Sequence, residues 1–228
     1  MTRILLYSEG YKDQGRSEYT DGKFIQHDGV FQIFIKKLAG DVECSFIVKT
    51  HGDIKNYRLV PSKGRYKSKE SIQAQRLVSI ANQLGCHHIA YHQDADKNEF
   101  KEIYEKVHSY FSVDLLKGIR LLAIVPKPMT ESWLLADKGS FRKAFPRYRT
   151  DIVLPDKPEE IWGNKNTDSH PKKWIADVLY EFHQKATAGV FARLASYADI
   201  AVIKERCPVS FKRFCDDVEM FLFKSEGD

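Results

Sequence analysis

Residues 5–15, LLYSEGYKDQG, place an acidic residue and a glycine directly after an apolar run. The apolar part, residues 3–7 (RILLY), is typical of a short buried strand. Glu9 and Gly10 then follow at the end of that strand. A turn would explain this pair, and so would a metal ligand held on a rigid strand. The rest of the chain has to distinguish these two explanations.

The first 125 residues alternate between strand and helix patterns. Strands are predicted at residues 3–7, 44–49, 87–92 and 119–125, and helices at residues 28–38, 68–84 and 100–111. Asp28 and Ser68 can cap the first two helices, and Gly40 and Gly85 can end them. The alternation, with a last strand that is apolar throughout, predicts an α/β fold of the Rossmann type. In such a fold a mostly parallel central sheet is flanked by helices.

The last third of the chain follows a different pattern. Residues 150–171 are polar, contain prolines and show no apolar period, whereas helical patterns dominate after residue 172. We therefore predict an α/β core over residues 1–149 and a mainly helical C-terminal extension over residues 150–228, packed on the core. The final helix is amphipathic, and we expect Asp217 on its solvent face.

Composition and charge narrow the class of protein. The 228 residues include 36 Lys and Arg against 31 Asp and Glu, which gives a net charge of +5. This mild positive charge favours an acidic partner such as nucleic acid. The sequence shows neither a secretory leader nor an apolar run of the ~20 residues that cross a membrane, so we expect a cytoplasmic protein with no membrane association.

Acidic residues follow three of the predicted strands. Glu9 comes after the first strand, Asp94 and Asp96 after the third, and Glu131 after the fourth and its prolines. Ligands of open parallel sheets bind beyond the carboxyl ends of the strands, so we expect these side chains at one edge. Each motif alone would also fit a turn, a helix cap or a solvated helix face. The ordered set favours a site.

A divalent cation would explain this gathering of acids. Carboxylates within a few ångströms of one another repel unless a cation binds between them. Ligand sets made only of oxygen suit Mg²⁺ or Mn²⁺. Such ions stabilise charge on a phosphoryl oxygen and lower the pKa of a bound water. The sequence thus predicts a magnesium or manganese site that acts on phosphoryl groups.

The histidine-rich strand offers a weaker alternative, a zinc site. Cys86, His88 and His92 lie near one another in the sequence. Because side chains alternate along a strand, these three are spread too far apart for one compact site. The four cysteines of the chain form no CxxC pair, so we expect reduced and buried thiols.

The ordered acidic motifs resemble the Toprim domain, a fold shared by topoisomerases, bacterial primases and OLD-family nucleases. More specifically, nearly the whole chain is similar to a family of small bacterial Toprim-like proteins, often encoded beside ATPases and associated with phage defence. The stretches that carry the resemblance are EGYKD at residues 9–13, QDAD at residues 93–96, PMTESWLLAD at residues 128–137, Pro158-Glu159, Pro171-Lys172-Lys173 and CPVSF at residues 207–211.

The resemblance implies a role for each matching acid. Asp94 and Asp96 would bind one cation, and Asp13 and Glu131 would complete a second metal position. Glu9 would be a metal ligand or a general acid and base. The catalytic set implied in this way is Glu9, Asp94, Asp96 and Glu131, with Mg²⁺ or Mn²⁺ as the cofactor.

Two positions depart from the pattern of the family, and the role of a third is left open. Lys12 stands where the family has a threonine, and its ammonium could contact a phosphate or point into solvent. Asp13 is a shorter acid than the glutamate of the family. Asp137 could belong to the site or only cap a helix.

Basic residues near these motifs are candidates for binding nucleic acid. The candidates are Lys12, Arg58, Lys63, Arg65, Lys67, Lys97, Lys172 and Lys173. Four of them lie in a basic loop with tyrosines after the second strand, which could track a phosphate backbone or only be solvated. Lys97 could neutralise a phosphate or cap the next helix, and Lys172 and Lys173 could grip substrate or start a solvated helix.

From these residues and the resemblance we expect a divalent-metal-dependent nuclease that cleaves phosphodiester bonds of nucleic acid, as an effector of bacterial anti-phage defence. The resemblance also implies an ATPase encoded nearby as a partner, and a homodimer is an option. One alternative is a non-catalytic Toprim-fold subunit that binds nucleic acid or the ATPase. Another is a phosphohydrolase of small nucleotides. Topoisomerase action would need a further domain, for which this chain has no room.

Overall fold

The computed structural model describes residues 1–8, 15–20, 23–57, 68–148, 150–163 and 169–223, with only the backbone described at residues 16–20 and 23–26. The strands are β1 (Thr2–Tyr7), β2 (Arg16–Thr20), β3 (Lys23–His27), β4 (Cys44–Lys49), β5 (His88–His92) and β6 (Arg120–Ile124). The helices are α1 (Val30–Ala39), α2 (His51–Lys55), α3 (Lys69–Leu84), α4 (Phe100–Tyr110), α5 (Val113–Leu116), α6 (Thr130–Leu134), α7 (Lys138–Ala144), α8 (Pro171–Glu181), α9 (Ala188–Tyr197), α10 (Ile200–Arg206) and α11 (Ser210–Phe223).

Four of the strands form a parallel sheet in the order β4-β1-β5-β6. In this sheet Ile4 of β1 lies between Phe46 of β4 and His88 of β5, and His92 of β5 lies beside Ile124 of β6. Helices intervene between these strands along the chain, because parallel neighbours cannot be joined by a tight turn. The predicted α/β fold, with a parallel central sheet flanked by helices and a helical C-terminal part, is confirmed.

Both faces of the sheet are covered by helices, as a parallel sheet requires. Along β1, Ile4 and Leu6 enter one apolar cluster while Leu5 and Tyr7 enter another, because successive side chains point to opposite faces. The first cluster includes α1 and the helices from α6 to α11, and the second includes α2 to α5. The C-terminal helices therefore complete the core on one face. The domain boundary at residues 149 and 150 stays a prediction.

The start of α1 differs from its prediction. Asp28 was expected to cap this helix, but Gly29 is the residue before its first turn, and the Gly29 amide donates to Gln32 Oε1 at 2.5 Å. The Asp28 carboxylate instead accepts a hydrogen bond from the Lys36 ammonium. The cap prediction is wrong because this cation, two turns along the same helix, takes the carboxylate.

The β2–β3 hairpin was not predicted from the sequence. Its strands, RSEYT and KFIQH, pair antiparallel, but RSEYT lacks the alternation of apolar and polar residues that marks a half-buried strand. Gly15 precedes the hairpin with φ 72°, and a Cβ there would lie 2.1 Å from the His27 carbonyl oxygen. Only glycine fits this position.

Asp217 of α11 is the second local correction. It was expected in solvent, yet it is 7% exposed. Tyr104 donates its hydroxyl to Asp217 Oδ2 at 2.7 Å, and Arg213 Nε donates to Oδ1 at 2.8 Å. Burial and the nearby Asp217 carboxylate raise the pKa of Tyr104. These bonds join α4 to α11, and so they link the helices of the two faces.

In the described ranges, no helix is long and apolar enough to cross a membrane.

Candidate functional site

Two loops lie side by side at the carboxyl edge of the sheet. They are residues 93–99, after β5, and residues 125–129, after β6. The amide of Ala95 donates to the carbonyl of Pro126 at 3.0 Å, and the amide of Asp96 donates to that of Pro128 at 2.8 Å. These bonds hold the loop that carries Asp94 and Asp96 against the loop that leads into α6.

A cleft of about 490 Å³ opens beside the loop after β5. The residues around it are Gln93, Asp94, Asp96, Lys97, Asn98, Met129, Trp162, His170 and Lys172. It thus brings two carboxylates, two ammonium groups and an indole to one place. Four of the predicted site residues line this cleft, namely Asp94, Asp96, Lys97 and Lys172.

Asp94 is held by a buried imidazole. His92 Nε2 lies 3.1 Å from Asp94 Oδ1, and His92 Nδ1 lies 2.8 Å from Ser8 Oγ. Because the carboxylate only accepts, the His92 ring donates this bond from Nε2, and its Nδ1 shares a second hydrogen bond with the Ser8 hydroxyl. The order of groups is that of a catalytic triad, but Ser8 is 0% exposed and offers a substrate no access. The Ser8–His92 pair therefore orients the Asp94 carboxylate.

Asp96 lies in a turn that presents it to the cleft. Its φ is 51°, in the left-handed region that Asp and Asn enter more readily than other residues with a side chain. The Asn98 side chain closes this turn by donating to the carbonyl of Ala95 at 3.0 Å. Asp96 and Lys97 are both exposed. Glu99 occupies the cap position of α4, so Lys97 does not cap that helix.

Glu131 is placed differently from the two aspartates. It lies in the first turn of α6, is 6% exposed and is not among the residues that line the cleft. Its helix follows the loop that binds the amide of Asp96. Within the described ranges, no three histidine, cysteine or carboxylate side chains are arranged to share a metal ion.

Several of the predicted residues lie outside the described residues. These are the predicted ligands Glu9 and Asp13 and the basic residues Lys12, Arg58, Lys63, Arg65 and Lys67. Glu9 directly follows Ser8, which is bonded to His92. The metal site and the basic loop therefore stay predictions.

The two lysines at the start of α8 have different surroundings. Lys172 is exposed and lines the cleft, and its amide donates to His170 Nδ1 at 3.2 Å. The Lys173 ammonium binds Asp177 Oδ2 at 2.7 Å, one turn along the same helix. Lys172 is thus a residue of the cleft wall, whereas Lys173 is engaged in an ion pair on its own helix.

Asp137 has a structural role. Its Oδ1 accepts from the amide of Gly139 at 2.7 Å, and its Oδ2 accepts from the amide of Asp199 at 2.9 Å. It therefore caps α7 and fixes the residue that precedes α10. Of the two explanations left open by the sequence, the helix cap is the one that the structure shows.

Glu159 also binds protein donors with both oxygens. Oε2 accepts from the amide of Val209 at 2.8 Å, and Oε1 accepts from the amide of Ser210 at 2.6 Å. Ser210 Oγ donates to Oε1 and accepts from Trp133 Nε1 at 2.7 Å. This buried network joins α6, α11 and the segment that carries Glu159. It brings the Pro158-Glu159 segment into contact with residues 209–210.

Sequence reasoning did not select His92 as a residue that orients Asp94, and it did not select Trp162 at all. Trp162 is 40% exposed, and its ring centroid lies 5.4 Å from that of His170. The signal that could have found it is a tryptophan within residues 150–171, where no apolar period offers it a core. The role of His92 could not be read from sequence, because alternation along a strand does not name a bonding partner.

Comparisons with known proteins add no identification to this geometry. The chain matches no family model, no curated protein and no solved structure. The structure is that of an α/β protein with a cleft at the carboxyl edge of its parallel sheet, lined by two aspartates and two lysines. Its function is therefore argued from the residues of that site.

Proposed function

We propose that this protein is a divalent-metal-dependent nuclease of the Toprim-like class, which hydrolyses phosphodiester bonds at the cleft beside β5. The observation that carries the proposal is the placement of Asp94 and Asp96 in one cleft with Lys97 and Lys172. Two carboxylates and two ammonium groups form the donor set expected where a cation and a phosphate are bound together.

The donor chemistry of the cleft fits Mg²⁺ or Mn²⁺. Asp94 and Asp96 offer carboxylate oxygens, and no thiolate lines the described cleft wall. These two aspartates would hold one ion. By the resemblance, Asp13 and Glu131 would complete a second metal position, and Glu9 would be a metal ligand or a general acid and base. The ion would supply charge stabilisation at a phosphoryl oxygen and a more acidic water.

Other side chains at the cleft would support the metal ligand or bind the phosphate backbone. His92, anchored by Ser8, restricts the Asp94 carboxylate to one orientation, and such support of a ligand strengthens metal binding. Lys97 and Lys172 would attract and orient the phosphate backbone from two sides of the cleft, since one precedes α4 and the other begins α8. The protein thus orients the reacting groups before the bond is broken.

Cleavage of labelled single-stranded DNA, duplex DNA and RNA in Mg²⁺, Mn²⁺ or EDTA tests this proposal. We expect metal-dependent cleavage by the native chain and none by the Asp94→Asn/Asp96→Asn variant. The matched control is Asp41→Asn/Asp114→Asn, which removes two exposed carboxylates outside the cleft and should leave cleavage unchanged. Equal cleavage by the cleft variant and the control would contradict the proposal.

By its resemblance we extend the proposal to an effector of anti-phage defence that acts with a neighbouring ATPase. An effector of this kind would be restrained when alone, because an unregulated nuclease harms its host. The cleavage assay is therefore repeated with the ATPase and ATP. Metal-dependent binding of nucleic acid without cleavage under both conditions would instead indicate a non-catalytic subunit.

A further inference from the structure

The cleft wall contains an exposed indole with a fixed support. Trp162 is 40% exposed, whereas Trp133 is fully buried in the core. The ring of His170, itself 1% exposed, lies 5.4 Å from the Trp162 ring at an interplanar angle of 45°. The His170 imidazole is fixed in turn, because its Nδ1 accepts from the amide of Lys172. The Trp162 indole thus packs against a buried imidazole and lines the cleft.

Isolated exposed aromatic residues are ordinary on protein surfaces, but this one lines the same cleft as four charged side chains. Lys97 and Lys172 line the same cleft, as do Asp94 and Asp96. A cleft that presents both an indole and ammonium groups matches a ligand that carries both an aromatic ring and a phosphate. Nucleotides have this combination of groups.

The volume of the cleft and its exposed indole favour unpaired over paired nucleic acid as the ligand. Its volume of about 490 Å³ is that of a small-molecule site, which suits one nucleotide rather than a duplex. The faces of bases inside a duplex are covered by their neighbours, so an indole can stack only on a base that has left the helix.

We infer that the cleft binds an unpaired nucleotide, with its base against Trp162 and its phosphate between Lys97 and Lys172. The substrate class is therefore single-stranded nucleic acid, including loops and ends. The part of this inference that concerns cleavage rests on the proposed nuclease function, whereas the binding of the base does not.

Binding of fluorescein-labelled 12-nucleotide single strands, of DNA and of RNA, tests the inference by fluorescence anisotropy. The full chain and the Asp94→Asn/Asp96→Asn variant are measured in EDTA, so that no cleavage occurs. Trp162→Leu should weaken binding roughly tenfold, because the base loses its stacking partner. Trp162→Phe retains an aromatic face and should restore most of the affinity.

Trp174→Leu is the matched control, because Trp174 is a partly exposed tryptophan in a different cavity, beside Val153 and Asp177. It should leave the affinity within about twofold, since no stacking contact is removed. A blunt duplex of the same sequence should bind more weakly than the single strand and be insensitive to Trp162→Leu. Unfolding midpoints show that each variant is folded.

Two results would overturn the inference. One is single-strand binding by Trp162→Leu as tight as that of the native chain, and the other is no binding of single strands by the native chain. Binding that depends on Trp162 without any metal-dependent cleavage would support the base site and count against the nuclease. Cleavage whose KM is unchanged in Trp162→Leu would support the nuclease and overturn the base site.

Discussion

Acidic side chains differ in exposure and hydrogen bonding between two regions of this molecule. In the part of the molecule that holds α6 to α11 and the segment between α7 and α8, Asp137, Glu159 and Asp217 are at most 7% exposed. Each of them binds protein donors with both oxygens. At the cleft, Asp96 is exposed, and within the described ranges His92 alone is bonded to Asp94. A carboxylate engaged at both oxygens stabilises the fold, whereas one in an open cleft can bind a ligand.

This difference in bonding distinguishes acidic residues that occur in the same set of sequence motifs. Asp137 belongs to the same ten-residue stretch as Glu131, and Glu159 to another motif of the set. Their spacing gives no sign that Asp137 and Glu159 bind backbone amides. The comparison predicts that acids of the helical region affect stability, and that acids of the cleft affect ligand binding.

Glu159→Gln should have the largest effect on stability. It replaces a buried anion that accepts three hydrogen bonds with an amide that cannot accept all of them. We expect a loss of about 3 kcal/mol in the free energy of unfolding. Urea denaturation measures it. The control is Glu160→Gln, whose carboxylate is exposed and pairs with Lys157, and which should cost less than about 0.5 kcal/mol. Equal losses would contradict the comparison.

Asp217→Asn should have the next largest effect. It removes the charge that binds Arg213 and that receives the Tyr104 hydroxyl. The expected loss is about 1.5 kcal/mol, because Arg213 is partly exposed and the amide can still accept one bond. Asp216→Asn is the neighbouring control, since Asp216 pairs with Lys204 at the surface. A loss no larger for Asp217→Asn than for Asp216→Asn would show that the α4–α11 link is unimportant.

A histidine at the end of β5 away from the cleft gives a prediction that depends on pH. His88 packs on Phe221, at the end of β5 away from the cleft, and burial lowers its pKa. Since the unfolded chain binds this proton more readily, stability should fall as the pH drops below about 6.5 and towards the lowered pKa. His88→Asn should reduce that fall in urea denaturation at pH 7 and pH 5. His87→Asn, which changes an exposed neighbour, should not. An unchanged fall in His88→Asn would contradict this assignment.

Asp94→Asn and Asp96→Asn should have the smallest effects on stability. Asparagine has the same shape as aspartate and tolerates the left-handed backbone at position 96. We expect each substitution to change the free energy of unfolding by no more than about 0.5 kcal/mol, because asparagine at position 94 can still accept from His92 and position 96 is exposed. A loss as large as that of Glu159→Gln would place these aspartates among the structural acids.

The sheet could be predicted because its signals are local. The apolar runs at residues 3–7 and 119–125 and the helix between Ser68 and Gly85 are found where they were expected, and Ser68 accepts from Ser71 at 3.1 Å. The strand order β4-β1-β5-β6 was not among the predictions, because the rules for parallel sheets leave several orders open. The β2–β3 hairpin escaped prediction because its first strand has no apolar alternation.

The site could be predicted only in part. Asp94 and Asp96 are adjacent to β5, so their position at the edge follows from topology. The bond from Asp94 to His92, the network around Glu159 and the pairing of Trp162 with His170 depend on side-chain geometry between distant segments. No periodicity in one sequence encodes such contacts.

The most direct test of the central claim is Mn²⁺ binding to the whole protein, followed by electron paramagnetic resonance. The account predicts binding by the native chain and by Asp41→Asn/Asp114→Asn. It predicts affinity at least about tenfold lower in Asp94→Asn/Asp96→Asn. This measurement does not depend on a partner or on a nucleic acid. Mn²⁺ affinity that is equal in the native chain and the cleft variant would contradict the claim that these two aspartates hold a metal ion.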